Sequence, residues 1–446
     1  MLPPAKRQRL APPLAAAPRI VPEDILLTEV LPRLPVRSLF RCRSVCRSWS
    51  AGIDDPLFAR RHLQHQHLSH GARMSVLDVP CEPRLEEHWG EARSKEMEFR
   101  RIQLHGARHH QQGGGEPAAA ATATTTTTAE LMHSVVCPEN RFTALLQPLL
   151  HCDGMVLVAT ASGELFVCNP ATREFVELPP GSPTLMQWPG PGPVAFGFDP
   201  YTNTYKVARV FYRGFELVED DEPYDDDGQE RGTLDVDHGH EVFTLGSGGG
   251  GSWEPTEDPP HCIACATPIC TRGAFYCSAA VGRADEPRPF DLLRFCMRDE
   301  TFTVVPYPPC FSQSGGVIGD QDTLTELGGR LCCAHVRCPR AVDIWLASDD
   351  GGHGEEKSLQ WSIAYRIELL KPVDHSVLPL DVYGDDEVLL SVDRRMLCKC
   401  NATTKAVKEV LDMERALDLY GATPQLSLRL LHNAVPYVES LMSISG

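Results

Sequence analysis

The chain has 446 residues, with 42 Lys and Arg against 60 Asp and Glu, a net charge of −18, and 17 cysteines. That length leaves room for a small module beside one large domain. The acidic balance and the lack of a clustered basic face argue against nucleic acid as a partner, and no apolar run reaches the roughly 18 residues that would mark a membrane-spanning helix.

Residues 1–19 are proline-rich and carry a short basic cluster, Lys6-Arg7-Gln8-Arg9, read here as part of a solvated, disordered tail. They hold no continuous apolar stretch of the kind that opens a secreted chain. A cytoplasmic or nuclear location is therefore expected, in which the thiols stay reduced and form no disulfide framework. Over 20–65 the pattern becomes helical. Pro22 can open a helix because its missing N–H would have no partner there, and Glu23 and Asp24 suit the positive end of the helix dipole. Ile25, Leu26, Val30 and Leu34 recur at helical spacing. Pro32 bends or ends that helix, and Pro35 restricts Leu34 into a turn. A second helix is expected from Val36 or Arg37 to about Ile53, with Val36, Leu39, Phe40, Val45, Cys46 and Trp49 apolar and Arg37, Arg41, Arg43 and Arg47 on its other face. Asp55-Pro56 starts a third helix that runs through Leu57, Phe58 and Leu63. A unit of about 45 residues buries too little surface to stand alone, so it is either a cap on the larger domain or a module completed by a partner.

Residues 66–130 read as a connecting region. Histidines cluster at its start (His62, His65, His67, His70), at what is expected to be an exposed helix end, and 106–129 is a low-complexity linker containing GGGEPAAAATATTTTTA. From 131 to 446 short runs rich in Val, Phe, Leu and Tyr, such as MVLVAT, YKVARVFY, VDIWLAS and EVLLSV, alternate with Gly, Pro, Asn and Asp turns at a spacing of about ten residues. About fifteen strands in an open sheet would leave exposed edges, so an all-β, propeller-like antiparallel domain is expected. Asn169-Pro170 and Asp199-Pro200 mark turns, where the side chains bond the backbone and proline breaks the ladder. Residues 216–230 hold nine acids and no base, a pattern that reads as a solvated loop. Cys168, Cys277, Cys296, Cys332 and Cys400 sit inside apolar runs as small hydrophobes. His261-Cys262 with Cys265 and Cys270 is the best metal candidate, but it lacks a second pair at finger spacing, and no metal or cofactor site is assigned.

Two resemblances add to this reading. Val21-Pro22, Asp24, Ile25, the Leu34-Pro35-Val36 turn, Leu39, the Val45-Cys46-Arg47-Ser48-Trp49 run and Asp55-Pro56-x-Phe58 resemble the F-box, the short helical module by which a substrate receptor docks onto a cullin-type ubiquitin ligase. HCDGMVLVATASGELFVCNPATREFVELPP, AFGFDPYTNTYKVARVFY and the later DIWLASDD, LQWSIAYRIEL and PYVESLMSI are similar to the F-box-associated interaction domain of the large plant F-box family. The resemblance implies a non-catalytic substrate receptor of an SCF-type ligase. Its F-box, 20–65, would bind a Skp-family adaptor and through it a cullin, and its β domain, 131–446, would hold a protein target for ubiquitination. Adaptor contacts are expected from Pro22, Ile25, Leu26, Leu34, Pro35, Val36, Leu39, Val45, Cys46 and Trp49. Two other readings stay open: a scaffold that binds the adaptor but joins no cullin, and a propeller-type enzyme. The second finds no G-x-S-x-G elbow, H-E-x-x-H pair or phosphate loop in the sequence. The family's target-facing loops do not transfer residue by residue.

Overall fold

Proline and acid placement shape the first part of the fold. In the computed structural model, which describes residues 21–70, 74–81, 96–105, 126–136, 149–160, 163–185, 192–224, 230–246, 251–263, 268–279, 291–310, 322–349, 359–383, 386–418 and 431–444, Pro22 precedes a helical turn, Glu23–Ile25. That turn widens into a π-type segment, Leu26–Val30, and tightens to a 3₁₀ turn, Leu31–Arg33, at Pro32, which has no N–H to continue the α ladder. Leu34 is extended ahead of Pro35. The single second helix expected from the sequence is two, Val36–Cys42 and Arg47–Ile53, because the chain turns at 43–45 and Cys46 is extended at φ −157, ψ 167. The last helix, Pro56–His70, begins as expected, with the Leu57 amide donating to Asp55 Oδ1 at 2.9 Å. Leu31, Leu39, Ile53 and Phe58 form the small core of these helices, joined by Leu27, Leu34, Cys42, Trp49 and, from far along the chain, Leu441.

The described strands form six four-stranded antiparallel sheets. Five are simple meanders spanning 151–177, 194–255, 269–306, 323–368 and 377–412. The sixth is composite: Leu431–Pro436 pairs with Met74–Cys81, and Glu96–His105 and Thr126–Val136 follow outward. Its register, Leu77 opposite Val435 and Asp78 opposite Ala434, closes a ring. The first strands touch in succession, from His151–Cys152 to Val194–Asp199, Ile269–Thr271, Thr323–Leu327, Val377–Tyr383 and Leu431–Pro436, and so line the axis of a six-bladed propeller. Neighbouring blades interdigitate: Leu157 and Val167 pack with Phe196 and Val207, and Val342 and Ile344 with Val388 and Leu390. A strand covered on both faces needs no polar alternation, which is why Met155–Ala159 is apolar and buried throughout.

The ring begins at Met74 rather than near 131. Glu96–His105 escapes recognition because its apolar residues divide between two covered faces: Met97 and Phe99 pack towards the 151–177 blade, Ile102 and Leu104 towards the 377–412 blade. Thr126–Val136 takes in the end of the expected linker, whose remainder, 106–125, lies outside the described residues. The acidic stretch is not a simple loop either. Thr204–Tyr224 and Glu230–Thr244 continue as a long hairpin with Leu217 opposite Leu234, since antiparallel pairing requires only backbone partners.

Candidate docking surface

The ten residues expected to meet an adaptor divide by burial. Pro22, Ile25, Pro35, Val45 and Cys46 are exposed, Leu26, Leu34 and Trp49 are half-buried, and Val36 and Leu39 are buried. Leu39, at 0% exposure, belongs to the core of the helices and reaches no partner directly. The Ser48 hydroxyl donates to the Glu23 carboxylate, and Cys46 Sγ lies 3.2 Å from Ser48 Oγ. These contacts tie the first helical turn, which begins just after Pro22, to the start of Arg47–Ile53 beside Cys46. Val21, Val30, Phe40, Leu57 and Leu68 are exposed as well, and sequence reading does not single them out as a surface: helical spacing marks an apolar stripe without saying what covers it. The exposed Arg37, Arg41, Arg43 and Arg47 add positive charge. Arg43 pairs with Asp54 and lies 5.3 Å from the centre of the Phe40 ring.

Leu34 and Pro35 belong to a different part of the module. His62 Nε2 lies 3.0 Å from the Leu34 carbonyl oxygen, and the Val36 amide donates to Glu439 Oε2 at 3.0 Å. His62 is fully buried instead of sitting on an exposed helix end; burial, partly offset by the Leu34 carbonyl, lowers its pKa to about 4.

Topology decides which end of the propeller carries this module. The closing blade takes its first strand from Leu431–Pro436 and its second from Met74–Cys81, so the entering and leaving segments emerge at the same end. The geometry agrees, because His67 Nε2 contacts Asp153 Oδ1 at 3.0 Å in a turn joining a first strand to a second, and the Tyr205 hydroxyl donates to Asp153 Oδ2 at 2.9 Å. In a ring of such meanders the turns between second and third strands fall at the opposite end. Among the described residues these include 160 and 163–164, 339–340, 393–395 and the long hairpin of Thr204–Tyr224 with Glu230–Thr244.

The thiols show no comparable assembly. Cys262 Sγ is 3.8 Å from His238 Nδ1, and this contact, followed by the carbonyls of Pro259 and Val236, pulls the His238 pKa up to about 9. Cys265 lies outside the described residues, and Cys270 packs at the interface of two blades against Gly197. Among the described residues no group of three His, Cys, Asp or Glu side chains is arranged to hold a metal ion.

Comparison with known proteins follows the same division of the chain. Residues 118–378 match the F-box associated beta propeller domain family, and residues 20–65 match the F-box-like family. Similar proteins, all from Arabidopsis thaliana, include an F-box/LRR-repeat protein that is 24% identical over 380 residues, 80% of this chain and 69% of the relative. A putative F-box protein is 28% identical over 209 residues, 46% of this chain and 48% of its own, and an F-box protein is 24% identical over 397 residues, 83% and 88%. The solved structure of dihydro-heme d1 dehydrogenase NirN in complex with DHE aligns with 75% of this chain and 72% of its own at 12% identity, with a TM-score of 0.31, too low to bear on function.

Proposed function

Because the chain belongs to the F-box associated beta propeller domain family, we propose that it is the substrate-recognition subunit of an SCF-type cullin–RING ubiquitin ligase. Its helices bind a Skp-family adaptor, and its propeller holds a protein target for ubiquitin transfer by other subunits. One observation carries this reading. Of the thirteen large apolar side chains that are exposed among the described residues, seven lie within 21–68, on a unit far smaller than the ring. Concentrated exposed apolar surface on a small helical unit marks a protein interface. Pro22, Ile25, Val45 and Cys46 form its contact surface, with Leu26 and Trp49 half-buried within it. Leu34 and Pro35 flank it, and Val36 and Leu39 act through the fold of the module. The target is taken at the far end of the ring, where the turns between second and third strands gather. The role is positioning, and no residue is assigned a catalytic part. Unpaired thiols, buried in the blades as at Cys168, Cys277 and Cys332, support a reducing compartment, cytoplasmic or nuclear.

The test is co-purification of the full chain with a Skp-family adaptor and a cullin. Ile25→Glu combined with Val45→Glu places two charges on exposed positions, so adaptor affinity should fall at least tenfold with the melting temperature unchanged. Undiminished binding sinks the docking assignment. Adaptor retained without cullin would make the chain a scaffold instead.

A further inference from the structure

We infer that Glu439 and Leu441, on the segment following the closing strand, are positioning residues of the docking module: the ring completes the module and fixes its orientation. The consequence for adaptor binding rests on the docking reading above; the geometry does not.

The segment 437–444 is anchored to the propeller on both sides of these residues. Tyr437 is buried among closing-blade and neighbouring-blade side chains, and its amide donates to the Ser75 carbonyl at 2.9 Å. The Val438 carbonyl passes over Gly154, which has φ +81, and a Cβ there would run into it. Asn169 Nδ2 donates to the carbonyls of Ser440 at 3.1 Å and Met442 at 2.9 Å, and Ile444 is buried in the core of the 151–177 blade.

Between these anchors the segment meets the helices. Glu439 Oε2 accepts the Val36 amide at 3.0 Å, one of the first N–H groups of Val36–Cys42, which has no partner inside its own helix. An ionised acceptor makes this a charge-assisted bond, and Glu439 is only 9% exposed. Its other oxygen pairs with Arg101, whose guanidinium also holds Glu130 at 2.6 Å, and Glu130 lies 3.5 Å from Arg37 on the same helix. Leu441 packs into the cluster of Leu31, Leu39, Ile53 and Phe58. The module therefore borrows a core residue and a helix partner from a segment about 400 positions away, as the 403-residue separation of Val36 and Glu439 records. Because that segment leaves directly from the closing strand, ring closure and the integrity of the docking surface are coupled.

Hydrogen exchange on the full chain tests this. Leu441→Asp should speed exchange at least tenfold across 31–53, leave Met155–Ala159 and Val194–Asp199 protected, and weaken binding of the purified Skp-family adaptor about fivefold or more. The conservative Leu441→Met should restore both readouts. Glu439→Gln, which changes one acceptor and leaves the ring intact, should raise exchange two- to threefold at Val36 alone. Wild-type protection of 31–53 in Leu441→Asp, or of Val36 in Glu439→Gln, overturns the inference. Failure of the wild-type chain to bind adaptor would count against the docking reading and would leave the exchange result standing as evidence of the coupling.

Discussion

Asn169 is fully buried and serves two parts of the molecule at once. Its Oδ1 accepts the Ala171 amide at 3.1 Å, shaping the turn that the sequence marks with Asn-Pro, while its Nδ2 holds the Ser440 and Met442 carbonyls. Asn169→Ala would strand those carbonyls, and each buried unsatisfied group costs about 1–3 kcal/mol, so a clear fall in melting temperature is expected. Asn169→Asp keeps the acceptor and loses the donor; it should recover only the part that belongs to the turn. Thermal denaturation of the two variants separates the roles. Leu39 and Val45 make a second contrast. Leu39→Ala opens the core of the helices and should cost about 2–5 kcal/mol. Val45→Ala, at a site 63% exposed, should change stability by no more than about 0.5 kcal/mol and be felt only in adaptor binding. Equal melting losses for both would show that the exposed face of the module is packed against something in the free protein.

Elements whose cause is local are legible in the sequence. Pro22, Pro35 and Asp55-Pro56 mark where helices begin, Asn169 and Asp199 mark turns, and the doubly covered strands Met155–Ala159 and Leu165–Asn169 announce themselves as apolar runs. What escapes recognition is set by distant partners. Met74–Cys81 finds its place in the ring through Leu431–Pro436, and Glu96–His105 spreads its apolar residues over two faces that only neighbouring blades cover. Much of the candidate surface, from Pro22 to Cys46, is legible as a pattern, but Glu439 and Leu441 carry no local sign of the helices they meet. The hairpin of Thr204–Tyr224 with Glu230–Thr244 lies between these cases, since its acidic run suggests solvent while its backbone pairs in register past Gly214. Beyond that point its described arms pair only with each other. Joining Gly214 to Asp237 through a short Gly turn should therefore shift the melting temperature by no more than about 2 °C, because loop length costs little and a run with nine acids in 216–230 has little apolar surface to offer. A larger drop would mean that the arms brace a neighbouring blade.

At the scale of the whole molecule, module and ring share a response to pH. His62, in the helices, and His240, in the ring, are buried, and burial lowers both to about 4; for His240 the Asp258 carboxylate opposes the shift. His240 lies 4.6 Å from the Phe295 ring and 5.0 Å from Phe302, centre to centre, surroundings that favour a neutral imidazole. In the unfolded chain both would titrate near 6.5, so between about 6.5 and 4 unfolding takes up protons. Their contribution is complete above 6.5 and is lost as pH falls towards 4. His238 has the opposite sign. Raised to about 9 by Cys262 and the carbonyls of Pro259 and Val236, it keeps its proton in the fold after the unfolded chain has released it. Its contribution is complete below 6.5 and is lost as pH rises through 9. Stability should therefore peak near pH 6.5, with an acid limb felt in both module and ring and an alkaline limb confined to the ring. Denaturant midpoints measured from pH 4.5 to 9.5 check this. His238→Gln should flatten the alkaline limb and leave the acid limb in place; an alkaline limb unchanged in that variant would locate the titrating group elsewhere.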